Sequence, residues 1–298
     1  MDRVAETARG KGASGTGPSS QAFETPSGNG AGDENFPVGS WLLPARLRPH
    51  VAVFYRFARA IDDIADNPDL TPDDKLMRLE AFEAAILGRD TEHPGLATAH
   101  RMRDSLYATG VPERHCIDLI AAFKQDAVKN RYADWADLMG YCFLSAAPVG
   151  RYLLDLHGES REGYRHSDAL CNALQVINHL QDCQDDYRAL DRVYLPGDWM
   201  AAEGVTVEDL DSRRSSAGLR RVLDRCLDAT ADLMIEAREL PGALTDRRLA
   251  MESAAIVAMA DRLIVKLRRQ DPVAERVELS KPAFLACFAT GVWRGLKR

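Results

Sequence analysis

The chain has 298 residues and a formal net charge of −7 at pH 7. Its arginines are interspersed with acids and form no basic run, which argues against a nucleic-acid partner gripped through phosphates, and no apolar run reaches the ~18–20 residues of a membrane-spanning helix. Six cysteines without a CxxC pair, each in an apolar helical context, read as reduced core thiols of a cytoplasmic protein.

Residues 1–32 are dominated by Gly, Ser, Thr and Ala, so they cannot bury enough surface to offset ordering entropy and read as a disordered leader. The leader contains GKGASG (Gly10 to Gly15), which fits GxGxxG by letter, but no strand precedes it and no apolar helix follows, so it is not a dinucleotide site. Residues 33–298 form one domain. Pro49 suits the first turn of a helix that runs to Asp66 and is stopped by Asn67-Pro68. Thr71 with Pro72 and Asp74 opens the next, which ends at Gly88. Helical periodicity continues over 95–109, 112–129, 134–146, 149–158, 162–189, 214–240, 245–270 and 279–295, with prolines mostly at the joints. The last segment carries AFLACFATGVW, too short to span a bilayer, and reads as a packed terminal helix. No alternating strand pattern stands out, so the predicted fold is all-α.

Two stretches break the ordinary rules of helix design. ARAIDDIADNP, residues 58–68, crowds Asp62, Asp63 and Asp66 into the C-terminal end of a helix, where each carboxylate faces the negative end of the dipole at a cost of about 0.3–1 kcal/mol. Asp62 and Asp66 also repel at i,i+4, by about 0.2–0.5 kcal/mol. QVINHLQDCQDDY, residues 175–187, repeats the spacing with Asp182 and Asp186, places Asp185 between them, and carries Gln175 and Asn178 on the same face. Leu174, Ile177 and Leu180 continue an apolar opposite face, so these acids sit on a buried helix. Two buried acidic helices repel unless a cation lies between them, and Mg2+ is the hard cation commonly shared between carboxylates and substrate phosphates. The expected geometry is a helical bundle with two acidic rims facing across a cavity, with metal and diphosphate between. His179 borders the second cluster and reads as a core histidine, since Mg2+ prefers oxygen. Tyr55, Arg59, Asp62 and Asp66 fall on one helical face, and Arg59 offers a planar fork for phosphate oxygens.

FYRFARAIDDIAD and QVINHLQDCQDDYRALDRVYLP resemble the two signature segments of the squalene/phytoene synthase family, and the resemblance extends from residue 34 to about 290. It implies the isoprenoid synthase helical bundle around a central cavity and Mg2+-dependent chemistry on prenyl diphosphates. Carried over residue by residue, Asp62, Asp66, Asp182 and Asp186 hold Mg2+, with Asp63, Asp185 and Asn178 in support. Tyr55, Arg59 and Arg192 contact the diphosphate, and Tyr194 closes the site. Two further stretches, ENFPVGSWLLP (34–44) and YCFLSAAPVGRY (141–152), resemble the hydroxysqualene synthase branch of bacterial hopanoid pathways, which implies presqualene diphosphate as substrate, ionisation and capture by water. Phe36, Tyr141, Phe143, Ser145, Ala147 and Gln175 are the substrate contacts this implies, with Tyr55 and Phe143 facing the cation and Asn178 and Ser145 holding the water. The small residues Ser145, Ala146, Ala147 and Gly150 suit either an apolar channel or close helix contact; the resemblance favours the channel. It also implies peripheral contact with the inner membrane face for product release and association with other squalene-pathway enzymes. Met259 stands where the family often has Tyr, and Leu190 and Asp191 where a Gly-Arg or Glu-Arg pair is common. A head-to-head synthase making presqualene diphosphate, phytoene or squalene is the alternative within the family. A catalytically inactive relative serving in assembly is disfavoured, because both acidic clusters are intact.

Overall fold

Prolines and capping side chains set most helix boundaries in the computed structural model, which describes residues 23–24 and 43–296. Helix α1 (Arg48–Asp66) has Pro49 in its first turn and ends at Asn67, which is extended ahead of Pro68. The Thr71 hydroxyl caps α2 (Pro72–Ile86) by accepting from the Asp74 amide. Left-handed glycines, Gly110 and Gly158, terminate α3 (Ala97–Thr109) and α6 (Ala147–His157). Between these lie α4 (Arg114–Asp126) and α5 (Trp135–Ser145), the latter capped by Asp134; Pro148 sits in the first turn of α6.

The region expected as one helix over 162–189 is two. The backbone leaves helical geometry at Asp182 (φ −104°, ψ 9°), which separates α7 (Tyr164–Gln181) from α8 (Cys183–Leu190). Asp182 and Asp186 are still linked through the Asp186 amide and the Asp182 carbonyl at 2.8 Å, so the i,i+4 spacing survives the break. Asp191 then takes a left-handed φ of 50°, a conformation aspartate tolerates better than most residues, and reverses the chain. It leads into β2 (Val193–Pro196), which pairs in parallel with β1 (Arg131–Tyr132). This short pairing corrects the expectation of no strand. VYLP is buried at every position and too short to alternate, so periodicity cannot reveal it. The remaining elements are α9 (Gly197–Ala202), α10 (Ala217–Ala237), α11 (Leu240–Ala243), α12 (Arg247–Arg269) and α13 (Lys281–Leu296).

α7 runs through the middle of the bundle, against α5, α6, α10 and α12, while α1 packs on α2, α3 and α4. α13 lies along α12, and Gly291 permits the approach: a Cβ there would stand 2.6 Å from the Ala255 nitrogen and the Met251 oxygen. Met259 is buried in this contact, with Ala255 and Cys287, and does not reach the cavity described below. The six cysteines are free thiols, five of them buried. One part of the expected leader packs. The Phe23 ring meets His93 edge-on at 4.9 Å, and the Glu24 carboxylate accepts from the Thr98 amide in the first turn of α3 at 2.9 Å. The aromatic ring and the helix-end acid supply what the surrounding small residues lack.

Candidate active site

A cavity of about 550 Å³ runs between α1, α4, α5, α6, α7 and α12. Residues of α1 line it in order at Val51, Phe54, Tyr55, Ala58, Arg59, Asp62 and Asp66, and residues of α7 at Ser167, Leu170, Leu174, Gln175, Asn178 and Asp182. Both helices therefore grade from an apolar end to an acidic end. At 1.5 Å per residue, Val51 and Asp66 are about 22 Å apart. Leu153, Leu154, Leu240, Leu249 and Ile256 complete the apolar wall, and Asp186, Arg192 and Tyr194 complete the acidic end.

The acidic end is held by a chain of polar contacts. Arg192 Nη1 donates to Asp66 Oδ1 at 2.9 Å and to the Tyr194 hydroxyl at 3.3 Å. Its Nη2 donates to the Asp126 carbonyl at 3.3 Å, and its Nε lies 3.7 Å from Asp126 Oδ1. The other carboxylate oxygen of Asp126 accepts from the Tyr141 hydroxyl at 2.7 Å. The Tyr194 ring is stacked between His179, at 3.5 Å, and Tyr132, at 5.5 Å. Arg59 pairs within α1 with both Asp62 and Asp63, each at 3.1 Å. Lys75 of α2 donates to the Ala65 carbonyl at 2.6 Å and so meets the exposed carbonyls at the end of α1.

Burial and mutual repulsion raise four of these acids above the ordinary carboxylate range. Desolvation, then the neighbouring Asp66, raises Asp62 well above the usual carboxylate range. Desolvation and Asp182 push Asp186 up to about 7, and desolvation also raises Asp182. Asp126 is pushed up to about 7 by burial, despite Arg192 and the Tyr141 hydroxyl. Burial and the Arg192 charge lower His179 to about 3, so it stays neutral and stacks.

The donor set suits a hard cation. Asp62, Asp66, Asp182, Asp186 and Asn178 offer only oxygen from carboxylate or amide, and the Asn178 Oδ1 is buried without a hydrogen-bond partner. Among the described residues no three of His, Cys, Asp or Glu are grouped closely enough to form a metal site alone. A metal here needs oxygens from a second source, as Mg2+ bound through substrate phosphates has.

Of the residues singled out in the sequence, the structure brings Tyr55, Arg59, Asp62, Asp66, Tyr141, Ser145, Gln175, Asn178, Asp182, Asp186, Arg192 and Tyr194 to the cavity. Four lie off its lining. Asp185 is exposed on the outer side of α8, and Asp63 is paired with Arg59. Phe143 faces outward, 43% exposed, beneath the Arg151 guanidinium at 4.4 Å. Ala147 is fully buried in helix packing. Phe36 lies outside the described residues. The small-residue stretch divides in two. Ser145, Ala146 and Gly150 line the cavity, and Gly150 also admits α7, since a Cβ there would meet the Ser167 and Cys171 side chains. Sequence reasoning missed Asp126, Lys75 and Glu252. Asp126 had a legible signal: it continues the apolar stripe of Leu119 and Ala122 on α4, a core position occupied by an acid.

Comparison with known proteins finds relatives in both sequence and fold. A sequence model of squalene/phytoene synthase matches residues 30–283. Hydroxysqualene synthase of Rhodopseudomonas palustris is 46% identical over 264 residues, 89% of each chain. That of Sinorhizobium fredii is 42% identical over 268 residues, 90% of this chain and 88% of the relative. The crystal structure of a squalene synthase from Alicyclobacillus acidocaldarius superposes with a TM-score of 0.69 at 32% identity, covering 80% of this chain and 90% of that one. A dehydrosqualene synthase shares the fold with a TM-score of 0.72 at 21% identity, covering 89% and 92%.

Proposed function

The chain belongs to the squalene/phytoene synthase family, and we propose that it ionises presqualene diphosphate with Mg2+ and lets water capture the rearranged cation, releasing hydroxysqualene and diphosphate. One observation carries this reading: a single cavity joins a long apolar wall to two acidic clusters that share one end. The apolar wall takes the hydrocarbon, and the acidic end takes the diphosphate with its metal.

Asp62, Asp66, Asp182 and Asp186, with the amide oxygen of Asn178, would hold Mg2+, which when bound neutralises charge on the departing diphosphate. Arg192, seated on Asp126, and Arg59 present planar forks toward diphosphate oxygens. The carbon–oxygen bond to the diphosphate breaks and leaves a cation among apolar walls. Tyr55 and Phe54 line that wall, and an aromatic face stabilises a desolvated cation by about 2 kcal/mol. Phe143, expected in this role, faces outward. Ser145 Oγ is buried without a partner on the cavity lining, and with the amide nitrogen of Asn178, whose oxygen is given to the metal, it can hold one water. Attack by that water forms the new carbon–oxygen bond, and its proton passes to the diphosphate.

The test is substrate choice. Purified protein given presqualene diphosphate and Mg2+ without NADPH is expected to release diphosphate and hydroxysqualene, with oxygen from labelled water in the alcohol. Inertness toward presqualene diphosphate, with condensation of two farnesyl diphosphates, would instead establish a head-to-head synthase.

A further inference from the structure

One buried polar group on the cavity wall is not used in the chemistry above. His179 lines the cavity beside Asn178 and is only 8% exposed, yet its Nε2 is buried without a hydrogen-bond partner. A buried polar atom that no protein group satisfies calls for a ligand or a water. The ring is not free to turn toward another partner. It lies flat on Tyr194, with centroids 3.5 Å and planes 11° apart, and Tyr194 is itself backed by Tyr132 and tied to Arg192. The Tyr141 ring stands 6.0 Å from it on α5, one helical turn before Ser145. The His179 nitrogen therefore belongs to the same part of the cavity as Ser145 and Asn178.

We propose that His179 is a positioning residue: its Nε2 accepts a hydrogen bond from the water that captures the cation and so aims that water's lone pair at carbon. The inference rests on the functional reading above and adds to it the choice between alcohol and alkene. A buried water typically makes about three hydrogen bonds. The Asn178 amide nitrogen can only donate to it and the Ser145 hydroxyl rotates, so neither fixes where its hydrogens point. An imidazole with its proton on Nδ1 presents one in-plane lone pair at Nε2, and the stack on Tyr194 fixes that plane. With one hydrogen held there, an oxygen lone pair forms the carbon–oxygen bond, and the other hydrogen leaves as a proton to the departed diphosphate. His179 neither gains nor loses a proton, because the diphosphate is the base. Where no water is held, the same diphosphate takes a proton from the carbon next to the cation. The C–H electrons then close a double bond, and an alkene forms in place of the alcohol.

The test is the alcohol-to-alkene ratio formed by the full-length protein from presqualene diphosphate with Mg2+, read by gas chromatography–mass spectrometry beside diphosphate release. His179→Phe keeps a ring to stack on Tyr194 and removes the acceptor. The ratio should fall by about 3- to 10-fold, the size of one hydrogen bond. His179→Gln, whose amide oxygen is an acceptor, should recover part of it. The ratio is internal to each reaction, so a purely structural change that slows all turnover leaves it where it was. Should the Phe variant fail to fold, His179→Leu reads the same fall. The parent's ratio in the folded Phe or Leu variant overturns the proposal. So does an equal fall in the Gln variant, which would assign the effect to shape. Failure of a folded variant to release diphosphate also overturns it, since ionisation precedes capture. A parent that forms no alcohol loses the functional reading and this inference together. A parent that forms alcohol, beside variants that form as much, loses this inference alone.

Discussion

The two acidic clusters share a spacing and differ in how the fold accommodates them. Asp62 and Asp66 stand on the last turns of α1, against the helix dipole, and cations offset them: Lys75 on the Ala65 carbonyl and Arg192 on Asp66 from other elements, and Arg59 on Asp62 from within the helix. Asp182 and Asp186 flank a break. By ending α7 at Asp182 and starting α8, the chain places Asp185 and Asp186 in a first helical turn, where the dipole favours negative charge. The first cluster is steadied by side chains and the second by backbone. Neither is fully relieved, since burial still raises Asp62 and Asp186. In the proposed function, a bound metal would offset this remaining repulsion.

The largest effect is expected from breaking either cluster. Asp66→Asn and Asp186→Asn should each lower turnover on the order of 10²-fold or more, because each removes charge that holds metal against the leaving diphosphate. Similar losses in steady-state kcat would confirm that the clusters act together. Loss confined to one would assign the chemistry to that side alone.

Next comes Asp126, the carboxylate behind the first cluster. Asp126→Asn keeps an acceptor for the Tyr141 hydroxyl and removes the charge beside Arg192. A partner that orients a functional group typically contributes about 10–100-fold, and kcat for presqualene diphosphate should fall in that range. An unchanged kcat would mean that Asp66 and Tyr194 suffice to seat Arg192.

Stability in the absence of metal sharpens the comparison through pH. Asp186 titrates near 7 in the fold against an ordinary 3.8. Between these values the folded state binds more protons than the unfolded, so this group's contribution to stability falls as pH rises through the window. Asp186→Asn should therefore melt above the metal-free parent, by a margin that widens from about pH 4 to pH 7. A relief of ~1 kcal/mol shifts the midpoint by about 2–4 °C for a domain of this size. A lower melting temperature in thermal denaturation would mean the carboxylate is structural. The smallest effect concerns the leader. Removing residues 1–22 should leave the melting temperature unchanged, whereas removing 1–32 should lower it slightly through loss of the Phe23 and Glu24 contacts.

The helical class was legible because nearly every helix carries an apolar stripe bounded by a proline, a capping residue or a glycine. The acidic clusters were legible because each breaks a local electrostatic rule, and such a violation calls for a compensating partner. What escaped depended on long-range packing. The break at Asp182 lies within unbroken periodicity and is set by where α8 and β2 must go. Phe143 alternates with cavity residues in sequence, but its place on α5 turns it to Arg151. Asp126 could be read as an acid at a core position of α4, but its partners could not, because Tyr141 and Arg192 reach it from α5 and from just before β2.

The central claim is that the two clusters grip one metal–diphosphate unit together. Titration of the full-length protein with Mn2+, followed by electron paramagnetic resonance, tests it directly when run with and without inorganic diphosphate. Weak binding of Mn2+ alone is expected, with much tighter binding once diphosphate is present, and that gain should vanish in both Asp66→Asn and Asp186→Asn. Equally tight binding without diphosphate, or a gain that survives in either variant, would contradict a shared site.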